Sequence, residues 1–429
     1  MHFPGKYTYY LGIAKGSGIE VMDLINLLFV VLSIFIMLIR RNSKVEIFSG
    51  VKIELLLLGI FLVLLIPAIK GYLSGHSLVL ILRDIRIPFS FLLAYLIGKF
   101  LVLSGGAERT FKWLERFLRY GIWYCSLVWL LNIRPLYFEA LVPTTSTLFA
   151  KRIASFSVID FSPILFFISL GKLLAKAENK KKFIWFFDIL LVAFFYVLTL
   201  SRGALISFLF GLGLYYLLYM RRKKLLSSLS YKIFILVFMS LILFFLPFFF
   251  NYELTEAVRG VPILERYYSM IKPDITTKSA VASAEFRKEA LTFFLKYQDM
   301  DPNYSIFIGF GYGEKIEGSI DETFKTQLAH YFGHSSIGGA LFRMGIIIFS
   351  IFSIFFFILL KKIIRDFHKS THSVGEELFF YATLATLSMH LIRGLYAATI
   401  LSSMVFPYSF TAFLLGLLLM FSFNTYREG

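Results

Sequence analysis

The sequence predicts an all-α polytopic membrane protein of about 11–12 transmembrane helices with one large loop on the outer face. Two patterns predict it. Hydrophobic residues make up 58% of the 429, mean hydropathy is +0.74, and the apolar residues fall in blocks of roughly 20, the length that crosses a bilayer. The 44 Lys and Arg outnumber the 27 Asp and Glu for a formal net charge of +17, and they cluster in short loops between those blocks. In a soluble protein such a charge would point to nucleic acid. Placed in alternate loops it reports membrane topology, and nucleic acid is not expected as a partner.

Taken in order, the apolar blocks read as eleven spans near residues 21–39, 53–69, 85–103, 119–133, 155–175, 183–200, 204–220, 232–250, 336–360, 376–394 and 399–421. Residues 1–20 are too polar to count as a span. They also lack the pattern of a cleaved signal peptide, so the first span is expected to act as an uncleaved insertion signal. Residues 107–118 place Phe111, Leu114, Phe117 and Leu118 at helical spacing among charges, which predicts an amphipathic helix anchored on the cytoplasmic surface. The basic loops are Arg40, Arg41 and Lys44, then Arg109 to Arg119, Lys176 to Lys182, Arg221 to Lys224 and Lys361 to Lys369. A single orientation satisfies all five, with the N-terminus outside and the C-terminus inside.

Within the run Phe183 to Met220 both ends carry basic clusters, so its middle, Thr199-Leu200-Ser201-Arg202-Gly203, turns on the outer face. Asn251 to Gly333 forms the one long loop, also outside, and residues 251–335 thus separate helices in 1–250 from those in 336–429. A loop of this length in a compact protein is usually functional. Inside it, Ser283 to Tyr297 reads as a helix with Ser283 as N-cap, an apolar face of Phe286, Ala290, Phe293, Phe294 and Tyr297, and Arg287 on the other side.

Arg202 is the first functional candidate. An arginine at the outer tip of a membrane hairpin is costly unless an anion meets it, and Gly203 lets backbone N–H groups approach a ligand; the plainer reading is an arginine reaching lipid headgroups. His334, in Gly333-His334-Ser335-Ser336, is neutral near pH 7 in its ordinary state and able to accept a hydroxyl proton; the plainer reading is an exposed loop histidine. His330 lies four residues earlier, yet no third ligand is evident, and Cys125 is the one cysteine, so no metal site is expected. Arg287 alone would be a solvated helix-face charge. Arg83 and Arg86, at the outer end of the third span, either add positive field to an outer pocket or anchor their helix. Arg343, about two turns into the ninth apolar block, is expected to face the bundle interior. His390 and Arg393 form a weaker pair. Gly309-Phe310-Gly311-Tyr312-Gly313 resembles a phosphate cradle, but without a strand before it and a helix after it a flexible turn is preferred.

Taken together, Thr-Leu-Ser-Arg-Gly-Ala at 199–204, an arginine on a loop helix and His334-Ser335 resemble the O-antigen ligase and polymerase superfamily of bacterial membrane glycosyltransferases. The ligase pattern of His, then Asn, Ser or Gln, then nine residues and Gly is met by His334-Ser335 and Gly345. Phe349 stands where a small residue or tyrosine is common, and His-Ser replaces the commoner His-Asn. The resemblance covers mainly residues 183–360. It implies a GT-C-like membrane fold of twelve spans and a reaction at the periplasmic face of the bacterial inner membrane, with a glycan donor carried on undecaprenyl diphosphate. A ligase passes the glycan to a lipid A-core acceptor; a polymerase passes it to the next lipid-linked repeat. Carried over by position, Arg202 and Arg287 hold the diphosphate and His334 activates the acceptor hydroxyl, with no cofactor or metal.

Two readings from other classes stay open. A lipid-linked oligosaccharide flippase would also place arginines near an anionic headgroup, but usually shows repeated halves, and none are visible. A cell-wall glycosyltransferase of the shape, elongation and division type would need a loop carboxylate, for which Asp274, Asp299, Asp301 and Asp321 are available.

Overall fold

The computed structural model describes residues 51–103, 105–130, 157–175, 181–198, 202–220, 305–313, 336–393 and 407–425. Every regular element among them is a helix: α1 (Val51–Leu73), α2 (Leu78–Asp84), α3 (Arg86–Leu103), α4 (Gly106–Leu130), α5 (Ser157–Leu174), α6 (Lys182–Leu198), α7 (Arg202–Tyr215), α8 (Ser336–Lys369), α9 (Val374–Arg393) and α10 (Pro407–Thr425). A five-residue π-helical turn, Tyr216–Met220, extends α7. The expected spans at 21–39 and 232–250, the loop helix carrying Arg287, the turn at 199–201, and His330 and His334 lie outside the described residues.

Among the described residues, two helices are long and apolar enough to cross a membrane, residues 52–73 and 340–369, and a third arises if Pro88–Leu103 and Gly106–Tyr124 are taken as one broken span. Their compositions explain the helices. Leu, Ile and Phe dominate, and in α9 three hydroxyls turn back on their own backbone: Thr383, Thr386 and Ser388 donate to the carbonyls of Phe379, Ala382 and Leu384 at 2.8, 2.8 and 2.9 Å. Ser373 and Glu376 close a capping box at the start of α9, each accepting the other's backbone N–H, at 2.9 and 3.3 Å.

Two expectations change. The surface helix at 107–118 and the described part of the span at 119–133 are one continuous helix, α4 to Leu130, because no proline falls at the junction and Gly121 is carried within the helix. Its buried line runs through Phe111, Leu114, Leu118 and Ile122, whereas Phe117 is half exposed and stacks on Trp113 with ring centroids 5.5 Å apart. At 100° per residue Phe117 falls about 120° from the line through Phe111, so it cannot share that face. The ninth block, read to residue 360, continues as helix to Lys369.

The described helices divide into two compact units. In one, α5 packs on α6 and both touch α7, with residues 112–130 of α4 and 377–389 of α9 in the same unit. The other holds α1, α2, α3, α8 and α10, together with residues 305–313; α3 packs on α10, and α8 on both α1 and α10.

Candidate functional site

The second unit contains a polar centre built where residues 305–313 enter the helices. Helix α8 supplies the opening. Gly345 sits inside it at φ 69°, ψ 175°, a conformation essentially confined to glycine. In an unbroken helix the N–H groups of Ile346 and Ile347 would donate to the carbonyls of Phe342 and Arg343. Here they donate to Ile306 and Phe307 at 2.9 and 3.0 Å, and the released carbonyls of Phe342 and Arg343 accept from Phe310 and Gly311, both at 2.9 Å. Two helix bonds are thus exchanged for four with the loop. The four helix groups released at the break are all satisfied, as burial requires.

The opposite side of the loop rests on α1. Gly71 permits the contact, since a Cβ there would lie 2.1 Å from the carbonyl oxygen of Tyr312. Tyr312 N–H donates to the Pro67 carbonyl at 2.8 Å. Lys70, in the last turn of α1, donates to the carbonyl of Gly309. His76 Nδ1 stands 2.9 Å from the carbonyl of Tyr312, and because a carbonyl only accepts, that nitrogen carries the proton.

Asp84 closes the centre. Its side chain is fully buried at the end of α2, and its Oδ2 accepts from Gly313 N–H at 3.1 Å while lying 3.1 Å from Nε of Arg343. A carboxylate at a helix C-terminus meets an unfavourable dipole, and a buried ion costs several kcal/mol, so these two donors are what make its position tenable. Burial, with the Asp84 carboxylate adding to it, holds the Tyr312 hydroxyl well above its ordinary pKa and therefore neutral.

This geometry settles two sequence expectations. Arg343 does face inward, with its side chain 13% exposed and paired to Asp84. The glycine segment 309–313 is neither a flexible turn nor a phosphate cradle. The N–H of Gly309 donates to Ser305, and those of Phe310, Gly311, Tyr312 and Gly313 donate to Phe342, Arg343, Pro67 and Asp84, so all five are already used within the protein. A cradle needs such groups directed at the ligand.

Of the other candidates, Arg202 opens α7, and its side chain lies outside the described residues. Arg83 and Arg86 fall on successive helices, because a turn at Ile85 separates α2 from α3; their side chains are likewise outside the described residues. His390 of α9 is buried, and the side chain of Arg393, the last residue of that helix, is not described. Arg287 and His334 are outside the described residues, and their expected meeting with Arg202 in one site is an expectation from the sequence alone.

Sequence reading missed Asp84, Lys70 and His76. Asp84 stood between the two arginines that drew attention, and an acidic residue at the very edge of an apolar block was itself the available signal. It also missed a charge network in the first unit. Glu115 accepts from Lys172 at 2.7 and 2.8 Å and from Arg119 at 2.8 Å, Arg119 Nε reaches Asp188 at 2.9 Å, and Ser169 donates to Asp188 at 3.2 Å. Two cations and two carboxylates balance, which ties α4, α5 and α6 together at the level of a fully buried Asp188. Among the described residues no group of three or more His, Cys, Asp and Glu side chains is arranged to hold a metal. No known family model matches the chain, and none of the curated proteins shows significant similarity to it.

Proposed function

We propose that this protein is a multi-pass glycosyltransferase of the O-antigen ligase type, moving a glycan from undecaprenyl diphosphate to a lipid A-core acceptor at the periplasmic face of the bacterial inner membrane. The observation that carries the reading is the sequence spacing of His334-Ser335, nine residues and Gly345, together with the conformation of that glycine within α8. Helix α8 opens at Ser336, immediately after the pair, and Gly345 occupies a conformation that only glycine adopts freely. The far end of the motif therefore answers a structural need, and that need is the seating of part of the long loop against α8.

The chemistry follows from residue types. The acceptor oxygen attacks the anomeric carbon as the bond from that carbon to the diphosphate oxygen breaks. His334 takes the acceptor's proton, and the leaving lipid diphosphate carries away the bonding electrons. Arg202 and Arg287 grip the diphosphate bidentately and neutralise the charge that grows on it, which is where electrostatic help counts most. Attack opposite the leaving group inverts the linkage. The loop covers the sugar and keeps out water that would hydrolyse the donor. A repeat-unit polymerase would use the same groups with a lipid-linked acceptor.

Paired transfer and donor-binding measurements in membranes with matched expression separate these roles. His334→Ala is expected to lower turnover roughly 10²- to 10⁴-fold with donor affinity nearly intact. Arg202→Ala and Arg287→Ala are expected to weaken donor binding as well, and Arg202→Lys to recover it incompletely, since an ammonium lacks the planar fork. Near-normal transfer by His334→Ala removes the base, and unchanged donor binding in both arginine variants removes the clamp.

A further inference from the structure

We infer that the buried Asp84–Arg343 pair is a positioning device that aims the first turns of α8, and with them the chain leading from His334. The inference rests on the reading of His334 as the base. An unbroken helix fixes the direction of its first turns through its own hydrogen-bond ladder. At Gly345 that ladder is cut, because Ile346 and Ile347 donate to Ile306 and Phe307 instead of to Phe342 and Arg343. What holds residues 336–344 in line is consequently external. The carbonyls of Phe342 and Arg343 accept from Phe310 and Gly311, and the Arg343 side chain is paired with Asp84. Asp84 also receives Gly313 N–H through the same oxygen, so one carboxylate fastens both the helix segment and the loop that crosses it.

The leverage is large. Nine residues of helix make an arm of about 13 Å, and a tilt of about 5° at Gly345 moves its far end by about 1 Å. A displacement of that size at a reacting group costs on the order of 10²-fold in rate. Asp84 and Arg343 are 259 positions apart in sequence, and neither has a role in the motif that carries the resemblance. The pair acts through the backbone and needs no contact with donor or acceptor.

The test uses the full-length protein in membranes, with Asp84→Asn and Arg343→Lys alone and each combined with His334→Ala. Asp84→Asn keeps the shape and removes the charge; Arg343→Lys keeps the charge and loses the Nε–H directed at Asp84. Each single variant is expected to lower turnover about 10- to 100-fold while donor affinity stays within about twofold of wild type. Neither is expected to lower the residual rate of His334→Ala further, because a device that aims the base has nothing to act on once the base is gone. A loss of donor binding in step with turnover, or an added loss on the His334→Ala background, overturns the inference in favour of a purely structural pair. Near-normal turnover of both single variants alongside an inactive His334→Ala overturns it too, and leaves the function standing. Near-normal turnover of His334→Ala overturns the function itself. Should Asp84→Asn fail to accumulate, Arg343→Lys is read by the same criteria.

Discussion

Gly345→Ala probes the exchange of hydrogen bonds on which the polar centre depends. The added Cβ would lie 2.4 Å from the backbone nitrogens of Ile308 and Gly309 and from the carbonyl carbon of Phe307. Ordinary contact begins at 3.4 Å, so the loop backbone must withdraw by about 1 Å, since backbone atoms cannot rotate aside. Four bonds of 2.9 to 3.0 Å would then exceed hydrogen-bonding range. At about 0.5–1.5 kcal/mol each, partly regained if two helix bonds re-form, and with a strain of about 1–3 kcal/mol at positive φ, the docked loop loses about 2–4 kcal/mol. That corresponds to a fall of about 30- to 700-fold in amide protection. Hydrogen exchange on peptides covering 305–313 and 342–347, in nanodiscs, reads the change directly. Gly75→Ala is the control, because Gly75 also has positive φ, 77°, but nothing lies within 4 Å of its added Cβ. Its effect is expected to stay local to the turn after α1. Protection in Gly345→Ala within threefold of wild type would refute the exchange.

Asp188→Ala should lower the thermal stability of the purified protein in detergent by about 3 kcal/mol, because it strips Arg119 of a fully buried partner. An unchanged melting profile would mean that the four-residue network does not tie its helices. Turnover of the lipid-linked donor should survive chelation, since arginines supply the positive charge; loss of activity in EDTA, restored by a divalent ion, moves the assignment to a metal-dependent transferase.

How far the sequence could be read depended on the range of the interaction. Where an apolar run ends at charges, the helix end was legible to within a few residues: 183 against Lys182, 175 against Leu174, 376 against Val374. Composition varies along the chain at that scale, so local hydropathy carries the information. The fusion of 107–118 with the following block was missed because a change from amphipathic to apolar pattern resembles a boundary, while nothing in the backbone stops the helix there. The fate of the glycine segment could not be read locally at all. Its N–H groups are satisfied by Pro67, Asp84, Phe342 and Arg343, two far upstream and two downstream, and glycine spacing alone looks the same whether such groups face a ligand or a neighbouring helix. For Arg343, the cost of an unpaired charge in an apolar block foretold an inward direction; its partner, 259 positions earlier, had no local signature.

The central claim is the transfer of a glycan from a lipid diphosphate, and its most direct test is the purified protein reconstituted in vesicles with an undecaprenyl-diphosphate-linked glycan. Lipid A-core is supplied in one arm and only further donor in the other. The account predicts glycan-bearing lipid A-core in the first arm, release of undecaprenyl diphosphate in equal amount, and no product with His334→Ala. Lengthened lipid-linked chains in the second arm alone would identify the polymerase of the same superfamily. Movement of intact donor between leaflets, with no glycosidic product in either arm, would contradict the account and make the protein a transporter.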